Sequence, residues 1–94
     1  MAYNGNGSWA LSGTAADTPI SLDMITDGYA TFHVSGTAVV EIQVNMNLNE
    51  ATGWATVATL DASDPELRIV NVWVSHGFYA RPVPISGSGT LNVR

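Results

Sequence analysis

The chain has 94 residues, 46% of them hydrophobic and only 12% charged, with eight acidic residues against three arginines, no lysine, no cysteine and a formal net charge of −5. At this length the expectation is one domain with a single two-layer core and little room for an enclosed active site. Three scattered cations, Arg68, Arg81 and Arg94, cannot release the counterions that nucleic-acid binding requires, and they offer no attraction to an anionic membrane. Without cysteine, disulfides, zinc ribbons and thiol catalysis are excluded. No apolar run reaches the ~18 residues of a membrane span, and the start MAYNGNGSWA lacks the basic and apolar parts of a signal peptide. The expectation is a soluble protein made in the cytoplasm.

Residues 1–17, MAYNGNGSWALSGTAAD, are rich in Gly, Asn, Ser and Ala with isolated aromatics. They read either as an arm that becomes ordered by lying across a neighbour, or as a first edge strand around Trp9 and Leu11. The domain proper is expected over 18–94. Strand-like runs follow at 8–11, 18–22, 29–35, 38–48, 54–60, 66–75, 78–85 and 90–94, separated by Gly, Pro, Asp and Asn turns.

Alternation assigns the inward faces. In 29–35, Ala30, Phe32 and Val34 share a side. In 38–48, Val40, Ile42, Val44, Met46 and Leu48 oppose Glu41, Gln43, Asn45 and Asn47, the pattern of a half-buried antiparallel strand. The run 66–75 breaks phase, since Leu67 and Ile69 oppose Val70, Val72 and Val74. A bulge near Ile69 and Val70, or burial on both faces with the second against another chain, would explain the break. Pro82 and Pro84 cannot donate to a ladder and place 78–85 at a sheet edge, or where the segment leaves one. Leu91 and Val93 close the pattern. No stretch has a helical period, so the fold class expected is all-β: an antiparallel β-sandwich of about eight short strands, immunoglobulin-like or jelly-roll-like, with an extended N-terminal arm.

Reactive chemistry is sparse. His33 and His76 have serines for company but no G-x-S-x-G turn, and no third ligand at a metal-site spacing. Asp61, Asp64 and Glu66 surround a Ser-Asp-Pro turn and read as turn formers more than as a hydrolytic pair. Neither Asp23 with Asp27 nor Asp61 with Asp64 resembles the 12-residue calcium loop. No enzyme, metal or cofactor is expected. Trp9, Trp54, Trp73, Tyr3, Tyr29 and Tyr79 suit a sugar-stacking platform, or equally core plugs and interface anchors. Trp54 is expected to cap one end of the core, and Trp73 to face out if the Val70, Val72 and Val74 side is buried.

The succession YATFHVSGTAVVEIQVNMNLNEATGWATVATL at 29–60 and the closing FYARPVPISGSGTLNVR at 78–94 resemble small β-sandwich virion proteins of tailed bacteriophages. Asn-Glu-Ala-Thr-Gly stands before Trp54 where those proteins often carry Asp-Gly-Gly, which implies a longer hairpin loop. The resemblance implies a capsid decoration or cement protein, or a head-tail component, located in the virion and present in many copies. Its partners would be the major capsid protein or other virion proteins, and its own copies as a dimer or trimer. A surface this poor in charge agrees, because its apolar area is best covered in an assembly. Tyr3, Trp9, Leu11, Val70, Val72 and Trp73 are the expected contact residues. The competing expectation is a carbohydrate-binding module that uses exposed Trp and Tyr rings.

Overall fold

A computed structural model describes residues 7–22, 28–46, 52–74 and 77–94. They form eight strands: β1 (Ser8–Leu11), β2 (Ile20–Ser21), β3 (Tyr29–Gly36), β4 (Val39–Asn45), β5 (Ala55–Asp61), β6 (Ile69–Trp73), β7 (Tyr79–Ser86) and β8 (Gly89–Val93). Each expected run carries a strand, and no helix occurs among the described residues. Two antiparallel four-stranded sheets result, β1-β8-β3-β6 and β2-β7-β4-β5, with β1, β6, β2 and β5 at the edges. The first is called sheet A below and the second sheet B.

The strand order follows from one long hairpin. β4 pairs with β5 at its tip, and the flanking strands pair in succession outward, β3 with β6, β2 with β7 and β1 with β8. This ribbon wraps so that β3 also meets β8 and β4 also meets β7, closing the two sheets. That is the jelly-roll order, and it decides between the two architectures expected.

Alternation puts one set of side chains between the sheets. Trp9, Ala30, Phe32, Val34, Val40, Ile42 and Leu91 are fully buried there. Each large apolar side chain so buried contributes roughly 1.5–3 kcal/mol over exposure. No buried polar side-chain atom among the described residues lacks a hydrogen-bond partner.

Several expectations need correction. Of the two readings of the N-terminal segment, residues 8–11 follow the second: β1 is an edge strand of sheet A in register with β8, from Ser8 opposite Asn92 to Leu11 opposite Gly89. The indole that plugs the core is Trp9, not Trp54. Its ring is buried and its Nε1 donates to the Thr18 carbonyl at 2.8 Å, which anchors the connection to β2. Met46 falls past the end of β4 and is exposed, while Leu48 lies outside the described residues.

Among its described residues the run 66–75 has no bulge. β6 keeps a regular register with β3, Leu67 belongs to the preceding turn, and Ile69 faces solvent while Val70 and Val72 face the core, so apolar residues occupy both sides of the strand. Bulges occur instead in sheet B. Val57 has no partner between Thr56 and Ala58, and Ile85 none between Pro84 and Ser86. Both extra residues turn apolar side chains to solvent.

β7, expected at an edge or where the segment leaves a sheet, lies inside sheet B. Its prolines fit because Pro82 and Pro84 share the phase of Phe78 and Ala80, whose backbones face β2. β2 ends after two residues, so beyond it no donor is needed, and the Pro82 carbonyl instead accepts from Asp17 N at 2.9 Å.

The crossovers β3 to β4 and β7 to β8 share one corner. Thr37 N donates to the Ser88 carbonyl at 2.8 Å, and Ser88 N donates back to Thr37 Oγ1 at 3.2 Å. Gly36 sits there at φ 88°, where an added Cβ would lie 2.6 Å from the Ser88 carbonyl oxygen. Gly13 has a similar φ of 72° with nothing within 4 Å. Gly13→Ala should therefore lose only the left-handed backbone cost of about 1 kcal/mol. Gly36→Ala adds a backbone clash and should lower Tm by at least about twice as much, on a scale of roughly 4–8 °C per kcal/mol. Paired thermal melts check the difference; equal losses would refute the shared-corner account.

Candidate functional site

The outer face of sheet A gathers most of the exposed groups with chemistry. Beyond β1, it presents Thr90, Asn92 and Arg94 from β8 and its end, Tyr29, Thr31, His33 and Ser35 from β3, and Ile69, Asn71 and Trp73 from β6. Register sets these side chains in rows across the strands: Tyr29 opposite Trp73, Thr31 opposite Asn71, and His33 between Ile69 and Asn92. Thr31 Oγ1 donates to Asn71 Oδ1 at 2.7 Å, and Thr31 and Arg94 exchange backbone hydrogen bonds of 2.7 and 2.9 Å. An open concavity of about 460 Å3 is lined by Thr31, His33, Asn92 and Arg94. It offers two nitrogen-bearing heads, a hydroxyl and an amide to a polar ligand, beside exposed aromatic rings.

At the β6 rim the character changes. Trp73 is 61% exposed and Ile69 59%, with Tyr29 and Leu67 also exposed beside them. β6 itself carries no charge and no proline. Of the expected contact residues, the structure brings only Trp73 fully to the surface. Trp9, Leu11 and Val72 are corrected to core positions, because their phase points them between the sheets. Val70 packs half-buried against that core, and Tyr3 lies outside the described residues. Thr31, Asn71 and Asn92 were not singled out from the sequence, while Tyr29, Ile69 and His33 were named there separately and not as neighbours. Alternation gave their parity, but only the adjacency of β3, β6 and β8 puts them together.

On sheet B a different cluster forms. The Arg81 guanidinium lies 4.3 Å from the Trp54 ring centroid, and its Nε donates to Gln43 Oε1 at 2.9 Å. Thr56 Oγ1 donates to Glu41 Oε2 at 2.9 Å. Burial lowers the Arg81 pKa from its usual value without discharging it. Trp54 therefore caps neither end of the core. It stacks on the outer face and ties the hairpin loop to β7 through a cation–π contact, so one ring face is closed to a sugar.

The corner that launches β6 is built by the acids of the Ser-Asp-Pro turn. Asp61 Oδ1 accepts from Ser63 Oγ at 2.7 Å and Ser63 N at 2.9 Å, and Asp64 Oδ1 accepts from Glu66 N at 2.9 Å. The Leu67 carbonyl closes the loop by accepting from Asp61 N at 3.1 Å. These carboxylates shape a turn, as their sequence context implied. Among the described residues no three His, Asp or Glu side chains stand together as a metal site. The Asp23 and Asp27 pair and His76 lie outside the described residues.

The Ser63 side-chain and backbone hydrogen bonds both favour the Asp61 carboxylate and hold its pKa below the ordinary 3.8. A depressed folded pKa contributes stability that is present above 3.8 and lost as pH falls through the folded value. Asp61→Asn should remove this component and flatten the decline of Tm between roughly pH 5 and pH 2. Parallel melts of the two proteins check it, and identical pH profiles would refute the assignment. Compared with known proteins, the chain matches no protein family, no curated protein and no solved structure.

Proposed function

We propose that this chain is a structural subunit of a larger assembly and not an enzyme: a virion protein of the tailed-bacteriophage kind that decorates or cements a capsid by bridging neighbouring shell subunits. The observation that carries the assembly role is the uncharged apolar strip along β6, with Trp73, Ile69, Tyr29 and Leu67 exposed on a protein otherwise short of charge. The virion setting rests on the resemblance of residues 29–60 and 78–94 alone. A jelly roll is compatible with it, but the same architecture serves lectin-like domains, so the fold does not choose. Each bound copy would stabilise a shell by mass action, since a ligand of the assembled state alone shifts the equilibrium toward assembly.

The test is co-sedimentation with assembled shells of a tailed-bacteriophage major capsid protein. Saturable binding near one copy per shell subunit is expected. Trp73→Gln should weaken it by about 30-fold, in the range of a buried interface tryptophan, while leaving the fold intact because the ring is exposed. Failure to pellet with shells at any ratio would overturn the capsid role.

The concavity on sheet A favours one second reading, a glycan-binding module. Its volume suits a sugar unit, its lining of Thr31, His33, Asn92 and Arg94 is polar, and the exposed Trp73 ring stands on the same outer face, one strand over and diagonal to Thr31. That reading expects tryptophan emission to shift blue on adding polysaccharide, with the shift reduced in Trp73→Gln. A shift with glycan and none with shells would replace the first reading by the second.

A further inference from the structure

β6 reads Ile69-Val70-Asn71-Val72-Trp73, an apolar pattern nearly the same in both directions about Asn71. Its hydrogen bonds to β3 have a definite phase. Val34 N donates to the Arg68 carbonyl at 2.9 Å and Val74 N to the Gly28 carbonyl at 2.8 Å, so Val70 and Val72, in the same phase, also face β3. Ile69, Asn71 and Trp73 therefore aim their N–H and C=O groups away from the sheet. Among the described residues no backbone partner meets them there. The same three residues point their side chains outward, and Ile69 and Trp73 are the most exposed apolar groups of sheet A.

The other edges are defended. β2 has two residues, β5 carries the Val57 bulge, and β1 has four residues with only Ser8 and Ala10 facing out. β6 has none of the charge, proline or bulge that usually blocks edge pairing.

We propose that two copies of this chain join antiparallel along β6, about a twofold axis beside Asn71, to make one continuous eight-stranded sheet. In that register Asn71 faces Asn71 of the second copy as a hydrogen-bonded pair, and Ile69 faces Trp73 twice over. An aromatic ring beside a β-branched side chain is among the favourable cross-strand pairs. The contact is isologous, so it consumes both edges and closes without propagating. Ile69 and Trp73, the exposed apolar side chains on β6 itself, flank the seam and are covered with the paired backbones. The area buried falls short of the roughly 1,000 Å2 that a stable specific interface clears. The free dimer is accordingly weak and concentration-dependent, and an assembly that holds copies side by side strengthens it. The inference rests on reading β6 as an assembly surface, but not on the identity of the assembly.

The chain contains no cysteine, so a single introduced thiol reports the axis. Asn71→Cys puts two thiols across the dyad with Cα atoms about 5.5 Å apart, inside the disulfide range. Ile69→Cys puts them about 14 Å apart, four residues of strand rise. Under mild oxidation of the full chain, Asn71→Cys should convert almost completely to covalent dimer and Ile69→Cys should not. Sedimentation equilibrium of the unmodified protein should show a reversible monomer–dimer step. Asn71→Asp, which sets two carboxylates face to face, should weaken that step at least tenfold at neutral pH without lowering the melting temperature to a similar degree. Equal crosslinking of both thiol variants, or a protein that stays monomeric at millimolar concentration, would overturn the proposal. If Asn71→Asp impairs shell binding while the free protein is monomeric throughout, β6 docks a different chain; the second copy is then refuted and the assembly role stands. Crosslinking without any shell binding would separate them the other way.

Discussion

Two peptide segments pass each other at one corner of this sandwich so closely that neither can change without the other. The β3–β4 crossover and the β7–β8 crossover are clasped by the Thr37 and Ser88 hydrogen bonds, and Gly36 has no room for a side chain. Because both crossovers change sheet here, the clasp fixes which strands become neighbours. β8 is delivered between β1 and β3, and β7 between β2 and β4. The inward phase of Phe32, Leu91, Val40 and Ile42 is useful only once those neighbours are in place. The functional surface depends on the same delivery, since the row of Asn92, His33 and Ile69 exists only where β8, β3 and β6 lie side by side.

Local alternation made the strands and their buried faces legible, from Ala30, Phe32 and Val34 to Leu91 and Val93. It was silent on sheet order, because period-2 patterning says which side of a strand is buried and nothing about what lies beside it. Trp9 illustrates the limit. A lone tryptophan in a Gly- and Ser-rich segment resembles an arm, and only its pairing across from Leu91 makes it a core residue. Trp54 errs the other way, since its position after a turn glycine suggested a plug, while Arg81 from a distant strand holds it on the outer face. The prolines of β7 were read correctly as incompatible with a donor position. What the sequence could not reveal is that an interior strand has such a position when its neighbour is two residues long.

Sparse charge ties the surface properties together. With no lysine, the charge that most often blocks a sheet edge is missing, so geometry at the edges does that work. The bulges at Val57 and Ile85 disturb sheet B, and the brevity of β2 leaves little to pair with. β6 stands outside this scheme, and the Asp61–Leu67 turn presents it as a straight, regular strand. In a protein with so few reactive groups, an undefended edge is the feature most in need of a partner.

The long-hairpin pairing also sets an order of events in folding. Only β4 and β5 are neighbours in both sequence and sheet, so their turn closes the shortest loop. Each later pair spans more of the chain, until β1 and β8 bring together segments separated by almost its whole length. Such a non-local topology folds slowly, because the entropy of closure comes before the reward of burial. The ribbon should zip from its tip outward, and β1, carrying Trp9, should dock last and loosen first. Through much of that time β6 would already be formed on β3 with its outer edge bare. The cell therefore meets this edge twice, once on the nascent chain and again on the finished fold, and it must avoid indiscriminate strand capture in the first case.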